Sequence, residues 1–126
     1  MEYAHQHKIV LELNEKNNNG WYPLYMSIYN NNIDIVKLLI IYANQNKIIL
    51  ELNEKDKFFG YNPLYCAIFR NNMSIVKLLI DYAKKHHIIL EYDKNNIGNN
   101  SEIKNLLQKY ENEKEDLKKV NKLINK

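Results

Sequence analysis

The side chains that could serve as metal ligand, nucleophile or general base are few: His5, His7, His86, His87, Cys66 and the serines Ser27, Ser74 and Ser101. His7 and His86 fall at one position of an internal repeat whose remaining copy carries Asn46, which suits an exposed polar site at a helix end. No carboxylate or cysteine stands at ligand spacing from them, so no metal is expected. Cys66 sits among apolar neighbours with no histidine near it in sequence, and reads as a buried, inert thiol. The serines fall on a helix face or at helix starts, where capping accounts for them. Glu12, Glu51 and Glu91 recur as the outward residues of an alternating pattern, not as an acid and base pair. With only 3 glycines, neither a dinucleotide-binding loop nor a P-loop can form. No catalytic residue and no cofactor is expected, and the chain does not read as an enzyme.

Composition narrows the partners. A charged fraction of 26% and a hydrophobic fraction of 45% are ordinary for a globular chain of 126 residues, enough for a single domain over 1–126. The net charge of +3 is mild, and lysines alternate with acids, as in "ENEKEDLKKVNKLINK". Interspersed charge makes a solvated face rather than a phosphate-binding stripe, so nucleic acid is not expected. The start, "MEYAHQHKIVLELNEK", lacks the pattern of a signal peptide, and no apolar run approaches a membrane span. One unpaired cysteine suits a reducing compartment, so an intracellular, cytoplasmic location is expected. Heavy use of asparagine, lysine, isoleucine and tyrosine reads as a bias of the genome rather than of the fold.

What must position any functional side chain is a repeat. "YPLYMSIYNNNIDIVKLLIIYA" at 22–43 is rewritten as "NPLYCAIFRNNMSIVKLLIDYA" at 62–83, a period of 40 residues that also carries Gly20 to Gly60. Pro23 and Pro63 suit the first turn of a short helix running to about Asn30 and Arg70. In Asn31-Asn32 and Asn71-Asn72, the first residue can take the left-handed conformation that ends a helix, and the second can cap the next. The second helix of each unit carries Ile35, Leu38, Leu39 and Tyr42, then Ile75, Leu78, Leu79 and Tyr82, a spacing that predicts one buried stripe. The alternation of Ile9, Leu11 and Leu13, and of Ile48, Leu50 and Leu52, predicts a strand or a hairpin arm.

The wording "G-x-x-P-L-Y", followed by a short helix, "I-V-K-L-L-I" and "E-L-N-E-K", resembles the ankyrin repeat with its T-P-L-H-x-A signature. The resemblance covers nearly all of residues 1 to 110 and implies an all-α repeat solenoid of stacked helix-turn-helix units with extended hairpin or loop arms. Asn14 and Asn53 stand where that family usually has asparagine in its connecting loop. The threonine and histidine of the signature are here Tyr22 and Tyr25, then Asn62 and Tyr65, so their hydrogen-bond network must be rebuilt or lost. The period is about seven longer than the usual 33, with the extra length after the second helix.

The units divide as a partial repeat at 1–19, repeats at 20–59 and 60–97, and a half repeat with a C-terminal helix at 98–126. Tyr3-Ala4 matches Tyr42-Ala43, so the chain opens in the tail of a second helix, as if cut from a longer array. At the other end Ile103, Leu106, Leu107 and Tyr110 take the places of Ile75, Leu78, Leu79 and Tyr82. Ile103, Tyr110, Leu117 and Ile124 continue every seven residues, with Leu106 and Val120 between. That helix can cap the stack or pair with another helix, and Glu113 and Lys114, which interrupt the seam, favour capping.

The resemblance also implies a partner-binding surface on the loop before each glycine, the residue after it and the end of the first helix. Carried onto this chain, it takes in Asn18, Asn19, Trp21, Tyr29 and Asn30, then Phe58, Phe59, Tyr61, Phe69 and Arg70. Of these, Trp21, Tyr29, Asn30, Phe58, Phe59, Tyr61, Phe69 and Arg70 are the candidate binding residues, since aromatics and arginine carry interface energy more often than other side chains. The plainer alternative buries several of them under the long arms. The expected function is a non-enzymatic module that binds a protein partner through a concave aromatic face. The alternative is a structural segment of a longer array that self-associates through its repeat ends or its last helix, which the uncovered Ile9, Leu11 and Leu13 would favour. No small-molecule substrate is implied.

Overall fold

Proline starts each repeat at the one helical position where a missing N–H costs nothing. Pro23 opens α1 (Pro23–Tyr29) and Pro63 opens α3 (Pro63–Phe69). In the computed structural model, which describes residues 11–125, both helices end at an asparagine in left-handed backbone, Asn31 at φ 57° and Asn71 at φ 56°. The amides of Asn31 and Asn32 return to the carbonyls of Ile28 and Ser27, and those of Asn71 and Asn72 to Ile68 and Ala67. This double closure satisfies carbonyls that a helix end leaves orphaned.

The next asparagine starts the following helix. Asn32 Oδ1 accepts from the Ile35 amide at 3.2 Å to open α2 (Ile33–Gln45), and Asn72 Oδ1 accepts from Ile75 at 3.0 Å to open α4 (Met73–Lys85). The paired asparagines thus take the two roles their order predicts. Asn100 repeats the cap at 3.1 Å for α5 (Ser101–Ile124). The serines cap nothing, because an asparagine already fills each cap position: Ser74 and Ser101 lie within the first turns of α4 and α5. The buried Ser27 hydroxyl donates to the Leu24 carbonyl.

The short helices α1 and α3 pack side by side, as do α2 and α4, and α5 continues the second layer against α4. Val36, Leu39, Tyr42 and Ala43 and their copies Val76, Leu79, Tyr82 and Ala83 form the shared core. The predicted stripe is therefore turned in the first repeat. Ile75 is fully buried and Leu78 partly so, but Ile35 and Leu38 are 41% and 48% exposed. In the second repeat α2 lies against α4; among the described residues no second-layer helix precedes α2 to cover the matching positions. Tyr3, Ala4, His5, His7, Ile9 and their predicted roles lie outside the described residues.

The expected strands do not form: among the described residues there is none. Leu13, Leu50 and Leu52 are buried as the alternation predicts, but the arm amides go to side chains instead of a neighbouring strand. Tyr42 Oη accepts from the Leu11 amide at 2.8 Å, Tyr82 Oη from Leu50 at 2.9 Å, and Tyr110 Oη from Leu90 at 3.0 Å. Each bond ties the arm of one unit to the second helix of the next. Asparagines join arm to arm: Asn14 donates to the Ile49 carbonyl and accepts from the Glu51 amide, both at 2.8 Å. Asn53 does the same with Ile89 and Glu91 at 2.8 and 2.9 Å. A third series runs along the helix turns, where Asn72 donates to Asn31 and Asn100 to Asn71. The asparagine and tyrosine bias is put to structural use.

The last helix is fixed by charge as well as by Ile103, Leu107 and Tyr110. Glu111 accepts from the Tyr92 hydroxyl at 2.8 Å and pairs with Lys94 at 3.0 Å and Lys114 at 2.9 Å, while Glu113 meets Lys84 at 2.6 Å. Burial pushes the Glu111 carboxyl up, but hydrogen bonds from Lys114, Tyr92 and Lys94 outweigh it and hold the group at about 2.

Two outcomes are expected. Tyr82→Phe leaves the buried Leu50 amide without a partner and should cost about 1–3 kcal/mol in urea unfolding, whereas Tyr42→Phe should cost less because Leu11 is partly exposed and its amide can meet water. Because the folded-state value of Glu111 lies below its ordinary 4.5, its contribution is present above about pH 4.5 and lost as pH falls toward about 2. Glu111→Gln should remove on the order of 1 kcal/mol of that pH-dependent stability, measured by unfolding at pH 7 and pH 3.

Candidate partner-binding face

The loop ahead of each short helix is built from one side chain. Asn17 Oδ1 accepts from the amides of Asn19 and Trp21 at 2.9 and 3.0 Å, and its own amide donates to the Trp21 carbonyl at 2.8 Å. In the next unit Asp56 does this work, with Oδ1 accepting from Phe59 and Tyr61 at 3.2 and 2.9 Å and its amide donating to the Tyr61 carbonyl. Gly20 and Gly60, at φ 78° and 69°, let the chain turn back just before the aromatic residue that follows. Asp56 is 4% exposed, and these donors explain how a carboxylate is tolerated there. Its Oδ2 also faces the Trp21 indole nitrogen at 3.4 Å, which joins the two loops.

The turn delivers Trp21 onto one side of α1. Its ring lies 5.8 Å from Tyr25 and 5.2 Å from Tyr29, one and two turns along the helix. Tyr61 holds the same place over α3, 4.3 Å from Tyr65, 6.0 Å from Phe69 and 5.4 Å from Phe59, which in turn touches Phe58. The candidate aromatics are thus gathered into two clusters, one per repeat, with Trp21 and Tyr61 as the half-buried hubs. Phe58, Phe59 and Phe69 are 68%, 51% and 66% exposed, and Tyr29 is exposed in the first-repeat cluster. Asn30 and Arg70 are the exposed C-caps of α1 and α3. Asn18 and Asn19 are exposed in the first loop.

Tyr25 and Tyr65 belong to the clusters but were not among the residues singled out from sequence. Their spacing of four from Trp21 and Tyr61, one helical turn, was the available signal. Burial, then the neighbouring Cys66 and Asp56, pushes the Tyr25 phenol well above its usual range. Tyr65 accepts a hydrogen bond from Asn96 at 2.6 Å, so the third loop closes against the second cluster. Between them lies a cleft of about 430 Å³ bordered by Phe59, Tyr61, Tyr65 and Asp93.

The other candidate chemical groups have structural roles. Burial pushes the Cys66 thiol up to about 11. His86 is the C-cap of α4 with its ring 4.2 Å from Tyr82, and His87 takes the left-handed position after it at φ 58°. Among the described residues no group of three or more His, Cys, Asp or Glu could hold a metal ion, and no helix is long and apolar enough to cross a membrane.

Paired helices with N-terminal proline, stacked through arms that asparagines bridge, agree with a family model of ankyrin repeats in three copies, which matches residues 2–95. The chain belongs to the ankyrin-repeat family. No curated protein matches it. Ankyrin repeats are generally protein–protein interaction modules and are typically non-catalytic. In these ankyrin units the network of the T-P-L-H signature is rebuilt in one repeat and replaced in the other. Asn62 caps α3 by accepting from the Tyr65 amide at 2.9 Å and donates to the Glu91 carbonyl. Tyr22 makes no side-chain cap; it fills the core, and its hydroxyl reaches the Glu54 carbonyl at 3.3 Å.

The exposure pattern separates hub from rim. Phe58→Ala and Phe69→Ala should each leave unfolding free energy within about 0.5 kcal/mol of the parent. Tyr61→Ala, which removes the ring the others lean on, should cost about 1–3 kcal/mol by the same urea titration.

Proposed function

We propose that this ankyrin-repeat chain is a non-enzymatic interaction module that binds a protein partner through its aromatic face. The observation that carries the reading is the exposure of Phe58, Phe59 and Phe69 around the half-buried Tyr61 hub. Isolated exposed apolar residues need no explanation, but a contiguous aromatic patch on a hydrogen-bonded loop loses water-contact cost only when something covers it. Trp21 and Tyr29 form the corresponding cluster of the first repeat, and the exposed Asn30 and Arg70 follow Tyr29 and Phe69 in the chain. Rings held by neighbours lose little conformational freedom on binding, which favours affinity. The partner is read as a protein because the family generally binds proteins.

A second reading, a segment that stacks on further repeats, draws on the outward Ile35, Leu38 and Ile41 of α2. Ile41 stands where the second repeat has the exposed Asp81, so its apolar character is not required by the position itself.

The discriminating experiment is affinity capture with quantitative mass spectrometry, followed by titration of the recovered partner. Phe58→Ala with Phe69→Ala should weaken that titration at least tenfold without loss of stability, and Ile35→Asp with Leu38→Asp should leave it unchanged. The reverse pattern would transfer the function to the repeat end.

A further inference from the structure

The third unit lacks its short helix. The capping Asn32 follows Gly20 by 12 positions and Asn72 follows Gly60 by 12, but Asn100 follows Gly98 by 2. The ten positions that would match 61–70 are gone, and with them the helix that would pack on α3 as α3 packs on α1.

Burial identifies the side of α3 that this leaves open. Two stripes run along the short helices at helical spacing. Pro23 and Met26 are uncovered in the first unit, with Met26 39% exposed, whereas their copies Pro63 and Cys66 are buried. The stripe of Tyr25, Ile28 and Tyr29 behaves the other way. Tyr25 is fully buried and Tyr29 36% exposed, but their copies Tyr65 and Phe69 are half-buried and 66% exposed. Cys66 neighbours the Tyr25 phenol, so the second stripe of α1 meets the first stripe of α3. Beside the second stripe of α3 lies a groove of about 500 Å³ lined by Tyr65, Ile68, Phe69, Asn71, Gly98 and Asn99 among others. The third loop closes it only in part: Asn96 donates to the Tyr65 hydroxyl but leaves Phe69 uncovered.

We propose that this groove seats a short helix supplied by the protein partner, which completes the third unit in trans. The proposal rests on the reading of the chain as a protein-binding module and adds a contact that meets the aromatic face at Phe69. The covered copy of the same surface gives the chemistry of the occupant. Against Tyr25 and Ile28 the chain sets Pro63 and Cys66, so the partner helix carries proline in its first turn and a small apolar residue three positions later. A charged residue at that second position would be buried against Tyr65 and Ile68 without a partner. The remaining lining residues are asparagine and glycine, which add no net charge, so shape and apolar contact select the occupant. A second copy of this chain does not fit. Its α1 would bring α2 with it, and α5 already holds the place that α2 would need. A free segment of this length is barely helical in water, so an isolated peptide binds weakly.

The test is an NMR titration of the full chain with a peptide of residues 60–72 carrying Cys66→Ala, the segment that covers the same surface on α1. Saturable shifts are expected at Phe69, Gly98 and Asn99 at up to about 1 mM peptide, and none at Asn18 or Asn19. The Cys66→Arg peptide should bind at least tenfold more weakly, and Phe58→Ala in the chain should leave the titration unchanged. A chain with a copy of residues 61–70 inserted between Gly98 and Asn99 should resist urea better and lose the response. The peptide pair needs no change to the chain and decides the matter if the insertion does not fold. No shift at those residues, equal binding of the Cys66→Arg peptide, or undiminished binding by the folded insertion chain overturns the proposal. Shifts confined to Phe58, Phe59 and Tyr61 and lost in Phe58→Ala overturn it too, while leaving the aromatic face as a binding site. Self-association of the unliganded chain, abolished by the insertion, would assign the groove to a second copy and overturn it as well.

Discussion

The bond from the Leu50 amide to the Tyr82 hydroxyl, and its copies from Leu11 to Tyr42 and from Leu90 to Tyr110, is the constraint on which this stack depends. The long arms bury Leu50 and Leu90, and burying them takes their backbone amides away from water as well. An unpaired amide in that place would cancel much of what the leucine contributes. The tyrosine at the end of the following helix supplies the missing acceptor across the repeat boundary. No arm is therefore complete without the next unit, and cooperativity between neighbours is built into the hydrogen bonds as well as the core.

The asparagines extend this logic. Each amide side chain can donate and accept at once, so one residue can bridge two backbone groups or join a cap to a neighbouring turn. Asn14 and Asn53 tie arm to arm, and Asn72 and Asn100 cap a helix while donating to the turn before. The arms thus stay extended and regular without forming a sheet. The same scaffolding sets the aromatic face, because Asn17 and Asp56 fix the loops from which Trp21 and Tyr61 project.

The first and last second-layer helices among the described residues differ in what meets their outer sides. Along α5, Glu111 bonds Tyr92, Lys94 and Lys114 and so ties that helix to the arm before it. Ile35, Leu38 and Ile41 look outward from α2. An array of this kind has strong contacts only between neighbours, so what covers its two ends decides how stable and how sociable it is.

Much of the local structure was legible in the sequence. Within a helix Pro23 and Pro63 fit only the first turn, the Asn-Asn pairs end one helix and start another, and the second-helix pattern buries Leu39, Tyr42, Leu79 and Tyr82; all of this follows from backbone and helix geometry that acts within a few residues. Family membership was legible for the same reason, since the signature is a string of such local solutions. Of the candidate face, the exposed phenylalanines and the residues after each glycine could be named, but not Tyr25, Tyr65 or Asp56, which join them through packing and loop hydrogen bonds. The alternating leucines looked like strands because burial alternates in both cases. Only the tertiary structure decides whether an arm's amides meet another backbone or a side chain, and here tyrosines and asparagines 20 to 38 residues away take that place. It also decides that Ile35 is exposed while its copy Ile75 is buried, because that depends on which neighbour is present and not on the residue itself.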